Sequence, residues 1–334
     1  MSDMTFPRSL HSVAEVTRMI EGGAMMLLAG EEHLLRDLPR GDWIGGTIPY
    51  FMTAEHGGVQ DQDRIFVARL PQSATVTHQA LYDADTLPGF PAGGARNGFS
   101  VILLPSQSAV HSRFALEGSQ WPGLFDRPVV GWVTGVALDR VGIDTAKVFD
   151  GRSGLVSETD AVVMHVALPD SVFAKVDIVN LFDQGDGDTL TFDQTSFSAE
   201  WVRVGGKRVR LLDYIAEKGI DTKLPLVADY NGAGVNVAIA RIIEEEGRVE
   251  FFAPVFADMP YRFAKPIGHY PTEFEEAIAD LCTPPTFSCN CVLNYAYADL
   301  EGQRTGTITG PMTFGEIAYV LLTQTLVYLT IESD

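Results

Sequence analysis

The stretch SAEWVRVGGKRVRLL, residues 198–212, decides the fold class. Two runs rich in β-branched and aromatic residues, 198–204 and 209–212, flank Gly205-Gly206, a pair that tolerates the positive φ of a tight hairpin turn. The same pattern recurs downstream, where 235–243 and 249–255 flank Glu244-Glu245-Glu246-Gly247-Arg248. Short strands bounded by Pro or Gly are expected at 64–70, 99–104 and 129–133, with further strands at 161–168, 176–182, 286–293 and 325–331. Helical spacing is expected at 12–20, with Ser12 as N-cap, and at 31–38, 272–281 and 314–322. Hairpins mixed with helices at both ends of the chain predict an α+β fold of mixed α/β layers, not a doubly wound parallel sheet. Its sheets should be mixed and largely antiparallel, with flanking helices.

The 334 residues suit two domains or one large body, and 46% hydrophobic with 20% charged residues suffices for a real core. Twenty-four Lys and Arg against 44 Asp and Glu give a formal charge of −20. A surface that acidic repels phosphate backbones and anionic lipid, which argues against nucleic-acid and membrane partners. The opening segment 1–10 is polar and carries Pro7, unlike a signal peptide, and the longest uncharged run, 317–331, is short for a membrane span and interrupted by Thr323, Gln324, Thr325 and Thr330. A cytoplasmic chain is expected, and three cysteines offer no disulfide framework.

Several chemistries lack their motifs. Gly93-Gly94 and 232–234 are glycine-rich without the spacing of a phosphate loop, and there is no G-x-S-x-G elbow or H-E-x-x-H helix. Cys289 and Cys291 sit on an expected strand. Their thiols are expected on opposite faces and mainly as small buried hydrophobes, with a cysteine- or metal-dependent enzyme as the alternative reading. His56 and His269 lie in expected loops and are the candidates for haem, whereas His165, among apolar residues, reads as a core histidine. No cofactor is otherwise expected.

Two glycine-bearing bends stand out. Gly46-Thr47-Ile48-Pro49-Tyr50-Phe51 echoes Gly310-Pro311-Met312-Thr313-Phe314-Gly315, as two halves of common origin would. Glu316 follows at the start of the expected helix, where the helix dipole would stabilise its charge. The functional reading has Gly315 admitting a ligand and Glu316 receiving a donor such as an ammonium. Thr47, Pro49 and Tyr50 would line the matching corner, the two corners facing each other across a small, mainly apolar pocket.

Phe287-Ser288-Cys289-Asn290-Cys291, Thr309 to Ile317 and Gln324-Thr325-Leu326-Val327-Tyr328-Leu329 together resemble the closing motifs of FIST proteins. Residues 43–50, Val129-Val130-Gly131-Trp132 and 202–216 resemble that family's upstream motifs in order, so the resemblance spans most of the chain. It implies two related halves, a FIST N-like half over 1–215 and a FIST C-like half over 216–334. It also implies a sensory protein of bacterial signalling that binds small molecules such as amino acids, some members being haem-dependent sensors. By position, Cys289, Asn290, Gly315 and Glu316 fall in the C-terminal motif, and Gly45, Gly46 and Thr47 in the N-terminal turn. Family members often carry an arginine shortly after the cysteine, a carboxylate partner that 290–294 does not supply. No output domain is expected, so a signal would pass to a separate protein. A homodimer is compatible with this, though no heptad argues for one.

Overall fold

The computed structural model describes residues 9–230 and 233–333. The opening segment 1–8 and Gly232 lie outside them. The chain is α+β, with most strand pairs antiparallel.

One arrangement occurs three times. At the centre of each of three six-stranded sheets lies a parallel pair whose crossover carries a helix. The pairs are Met26–Gly30 with Trp43–Thr47, Gly98–Pro105 with Val129–Thr134, and Phe287–Cys291 with Gly310–Thr313. After each second strand the chain leaves its sheet and lays a hairpin or strand pair beside the second strand of another pair. Tyr50–Thr53 and Gly57–Gln60 join Gly310–Thr313, Val148–Asp150 and Leu155–Ser157 join Trp43–Thr47, and Glu316–Ala318 and Val320–Leu322 join Val129–Thr134. The chain then returns antiparallel to the first strand, as Ile65–Arg69, Ala161–Ala167 and Leu326–Ser333. Two of these continue to the edge of another sheet, as Thr75–Tyr82 and Val172–Val179. Leu10–His11, from the start of the chain, fills the third such place beside Ile65–Arg69. The recurring unit therefore appears three times, not twice, and the echo between 46–51 and 310–315 marks two of its three strand-to-hairpin junctions.

Alternation along the strands sorts side chains between faces. Leu27, Ala29 and Ile44 from the first sheet, Val101, Leu103 and Trp132 from the second, and Phe287 and Cys289 from the third share one buried core. Trp132 stacks on Phe287 at 5.1 Å between ring centres. Outer faces are covered by helices. Val13–Glu21, capped by Ser12 as expected, packs on Met26, Leu28 and Trp43, and Ala109–Glu117 packs on Ile102 and Leu104.

Between Val172–Val179 and Phe287 the chain builds a further six-stranded sheet and a three-stranded one around a separate core of Val202, Leu211, Leu226, Phe251 and Tyr261. The hairpin Trp201–Val204 and Lys207–Arg210 lies here, turning at Gly205-Gly206. The expected boundary at 215/216 falls inside the helix Leu211–Lys218, whose Leu211 and Ile215 belong to the same core as Val202 and Leu226.

One element is of a different type from that expected. Residues 314–322 form no helix but the hairpin Glu316–Ala318 and Val320–Leu322, with Tyr319 at φ 62° in its turn. Its burial alternates, Ala318 and Leu322 facing the shared core while Ile317 and Leu321 face the cluster under Ala109–Glu117. That period of two is strand periodicity, stabilised by a ladder to Val129–Thr134 that the local sequence does not contain.

Candidate functional site

The two bends are neighbours. Pro311 pairs with Phe51 and Gly310 with Met52, while the Gly135 N–H donates to the Thr47 carbonyl at 2.8 Å. The hollow expected between them is filled by the chain's own atoms. A Cβ on Gly46 would lie 2.3 Å from Thr134 Cγ2, and one on Gly315 would lie 3.0 Å from Leu321 Cδ1 and 3.2 Å from Val133 Cγ2. Thus the close approach that these glycines permit is used by protein side chains.

Tyr50 turns to the other side of its strand, against Tyr295, and its hydroxyl accepts a hydrogen bond from the Leu138 N–H at 2.9 Å. Thr47 holds the Lys147 N–H at 2.9 Å through its hydroxyl. The Pro49 carbonyl accepts from the Asp61 N–H at 2.8 Å. Asn290 Oδ1 accepts from the Cys291 N–H at 2.7 Å and from Asn294 Nδ2 at 2.9 Å. Beside Asn290, a cavity of about 10 Å³ lined by Met52, Ser288, Thr305 and Leu326 has room for about one water. The expected residues therefore come from three sheets: Thr47 from the first, Glu316 from the second, and Tyr50, Cys289 and Asn290 from the third.

Glu316 is the carboxylic acid among them. It lies on a strand, not at a helix start, so no helix dipole supports a charge there. Its side chain is fully buried. Oε2 accepts from the Thr325 hydroxyl at 2.9 Å and from the Thr325 N–H at 3.3 Å. Oε1 lies 3.2 Å from Thr313 Oγ1, which is also 3.2 Å from the Gly315 carbonyl and 3.3 Å from the Asn290 carbonyl. A hydroxyl has one proton, and carbonyls only accept. Thr313 Oγ1 therefore has one proton for three acceptors, of which Glu316 Oε1 is one. Burial, with no cation against it among the described residues, pushes the Glu316 carboxyl up to about 8, despite the bonds from Thr325, Thr313 and Cys291.

Cys289 and Cys291 flank this carboxyl. Residues two apart on a strand return to the same face, so the expectation of opposite faces fails; both thiols lie within electrostatic reach of Glu316. Burial first, and then Glu316, raises both thiols well above their ordinary value, leaving them protonated and non-nucleophilic. The Cys289 thiol donates to the Gly131 carbonyl at 3.4 Å.

Sequence reasoning missed Trp132, Thr134, Thr313 and Thr325 as site residues. Glu316 pairs with Trp132 across antiparallel strands, and the Trp132 indole N–H and Thr134 hydroxyl, both buried, have no hydrogen-bond partner among the described residues. The threonines that interrupt the apolar run 317–331 were the available signal.

Elsewhere, His165 is buried with Nδ1 2.7 Å from Ser100 Oγ, and desolvation lowers its pKa to about 4. His56 and His269 are exposed, the latter with Nδ1 2.9 Å from Thr272 Oγ1. Among the described residues no group of three or more His, Cys, Asp or Glu is placed to hold a metal ion, and no helix is long and apolar enough to cross a membrane.

Fold and site define an α+β protein of three hairpin-exchanging sheet units with a carboxyl buried at their junction. The chain belongs to DUF6976, a family of unknown function, whose profile matches residues 11–332. No curated protein and no solved structure matches it.

Proposed function

We propose that this chain is a small-molecule-binding sensory protein that acts without catalysis, taking a ligand with a cationic amine, amino-acid-like in class, at Glu316. The observation that carries the reading is a fully buried carboxyl with no lysine, arginine or histidine paired to it among the described residues. An arriving ammonium would supply the missing counter-charge and convert the neutral acid to a carboxylate. The unpaired Trp132 N–H and Thr134 hydroxyl on the adjoining strand add polar groups with unused bonding capacity. The resemblance to FIST proteins points to the same class of ligand, and a separate signalling protein would receive the output. Because the bends are closed on each other, admission of the ligand requires the C-terminal hairpin or the loop after it to move.

Thermal unfolding with a panel of amino acids and simple amines tests this. A ligand at a hundredfold excess over its Kd stabilises by about 2.7 kcal/mol, a rise in Tm of several degrees. Glu316→Gln should abolish the shift. No shift with any amine, or an equal shift in Glu316→Gln, rejects the reading.

A further inference from the structure

The strand Val172–Val179, of sequence VFAKVDIV, ends the third six-stranded sheet. One of its edges is paired along its whole length, from Val172 opposite Ser333 to Val179 opposite Leu326. Among the described residues no strand pairs with its other edge. Asn97 caps the start of the strand, its Nδ2 donating to the Val172 carbonyl at 3.0 Å. An open edge of this length is a template for another strand. Two large apolar side chains stand exposed on it, Phe173 at 40% and Ile178 at 45%. Between them Lys175 Nζ lies 2.9 Å from Asp177 Oδ2 at the surface.

The strand is self-complementary about Val176. Reading outward from that residue, Lys175 answers Asp177, Ala174 answers Ile178 and Phe173 answers Val179. Two copies meeting edge to edge about a two-fold axis run antiparallel. Both present the same alternate set of backbone groups, so the axis must pass where a residue faces its own copy. With the axis at Val176, Lys175 lies opposite the partner's Asp177, and the reciprocal pair repeats the match. Phe173 then lies opposite the partner's Val179, and Ile178 opposite the partner's Ala174. Moving the axis to Lys175 sets two lysines face to face, and moving it to Asp177 sets two aspartates. Charge therefore selects one register and rejects its two nearest neighbours. Odd and even positions point to opposite faces, so each face of the joined sheet covers one exposed side chain, Phe173 or Ile178, from each copy.

We propose that a second copy of this chain pairs with the open edge of Val172–Val179, forming a two-fold dimer in which two six-stranded sheets become one. The Lys175–Asp177 ion pair, held along one strand in the single chain, is exchanged for two that bridge the copies. A formal charge of −20 on each chain opposes the encounter, so salt that screens it favours the dimer. Pairing through a single strand places the contact at the small end of specific interfaces, suited to reversible association. The inference stands apart from the ligand reading and uses no residue of the Glu316 site.

Sedimentation equilibrium of the full chain, from about 1 to 200 μM in about 0.15 M salt, tests it. The wild type should pass from monomer to dimer across that range. Lys175→Asp and Asp177→Lys each set like charges opposite, and each should weaken the dimer at least about tenfold. They shift net charge in opposite directions, so net repulsion alone would have the second strengthen it. Mixed one to one, the two variants restore opposite charges at both pairs and should form a heterodimer. A wild type that stays monomeric, a dimer weakened by neither variant, or a mixture no tighter than its components overturns the proposal. Hydrogen exchange on the wild type decides should a variant fail to fold. Amides of 172–179 should slow with rising concentration, and those of 57–60, at the opposite edge of the same sheet, should not. Equal behaviour of the two edges rejects the pairing.

Discussion

Glu316 stands opposite Trp132 across two antiparallel strands, and among the described residues the carboxyl has no counter-charge and the indole N–H no acceptor. The indole N–H left without an acceptor in a dense core costs stability, on the order of 1–3 kcal/mol for an unmade bond, and the buried carboxyl costs more once it is charged. That cost makes their surroundings the place to look for function, and it sets the sign of the effects below.

Stability should depend on pH through Glu316. Its folded-state value, about 8, exceeds the ordinary 4.5, so the folded state keeps a proton that the unfolded chain releases. The contribution is complete below pH 4.5, falls by about 1.4 kcal/mol per unit as pH rises, and is lost above 8. Glu316→Gln, which imitates the neutral acid, should match the wild type within about 1 kcal/mol at pH 5 and exceed it by a few kcal/mol at pH 8. Urea unfolding midpoints at both pH values measure this.

Thr134→Val should be neutral or stabilising by up to about 1 kcal/mol, because it replaces an unpaired buried hydroxyl with a methyl of similar shape. Gly46→Ala should cost about 1–3 kcal/mol by overpacking against Thr134 Cγ2. Combining it with Thr134→Ser, which deletes that methyl, should recover most of the loss. Additive costs in the double variant, read by denaturant unfolding, would contradict the close contact.

Alkylation should distinguish the three thiols. Cys282 is exposed and should react with iodoacetamide at pH 7.5, whereas Cys289 and Cys291, buried and held protonated, should react only after unfolding. Mass spectrometry of the native and urea-treated chain reads the difference. Labelling of either buried thiol in the native chain would reopen thiol chemistry at this site.

The sequence by itself determined the elements whose cause is local. Gly205-Gly206 specifies its hairpin through positive φ at both glycines, and Ser12 with Glu15 caps the first helix through bonds spanning three residues. The apolar strands around Leu27, Val101 and Val162 announce themselves by composition, and with them the α+β class. Tertiary structure alone decided that Glu316 begins a strand, because its ladder partner Trp132 lies far back in the chain and local spacing suits a helix as well. It also decided that the glycine-bearing bends touch, since each unit lends its hairpin to another sheet. The charge state of Glu316 was beyond the sequence for the same reason: it depends on how much water and which donors reach the carboxyl, and those are fixed only when three distant segments close around it.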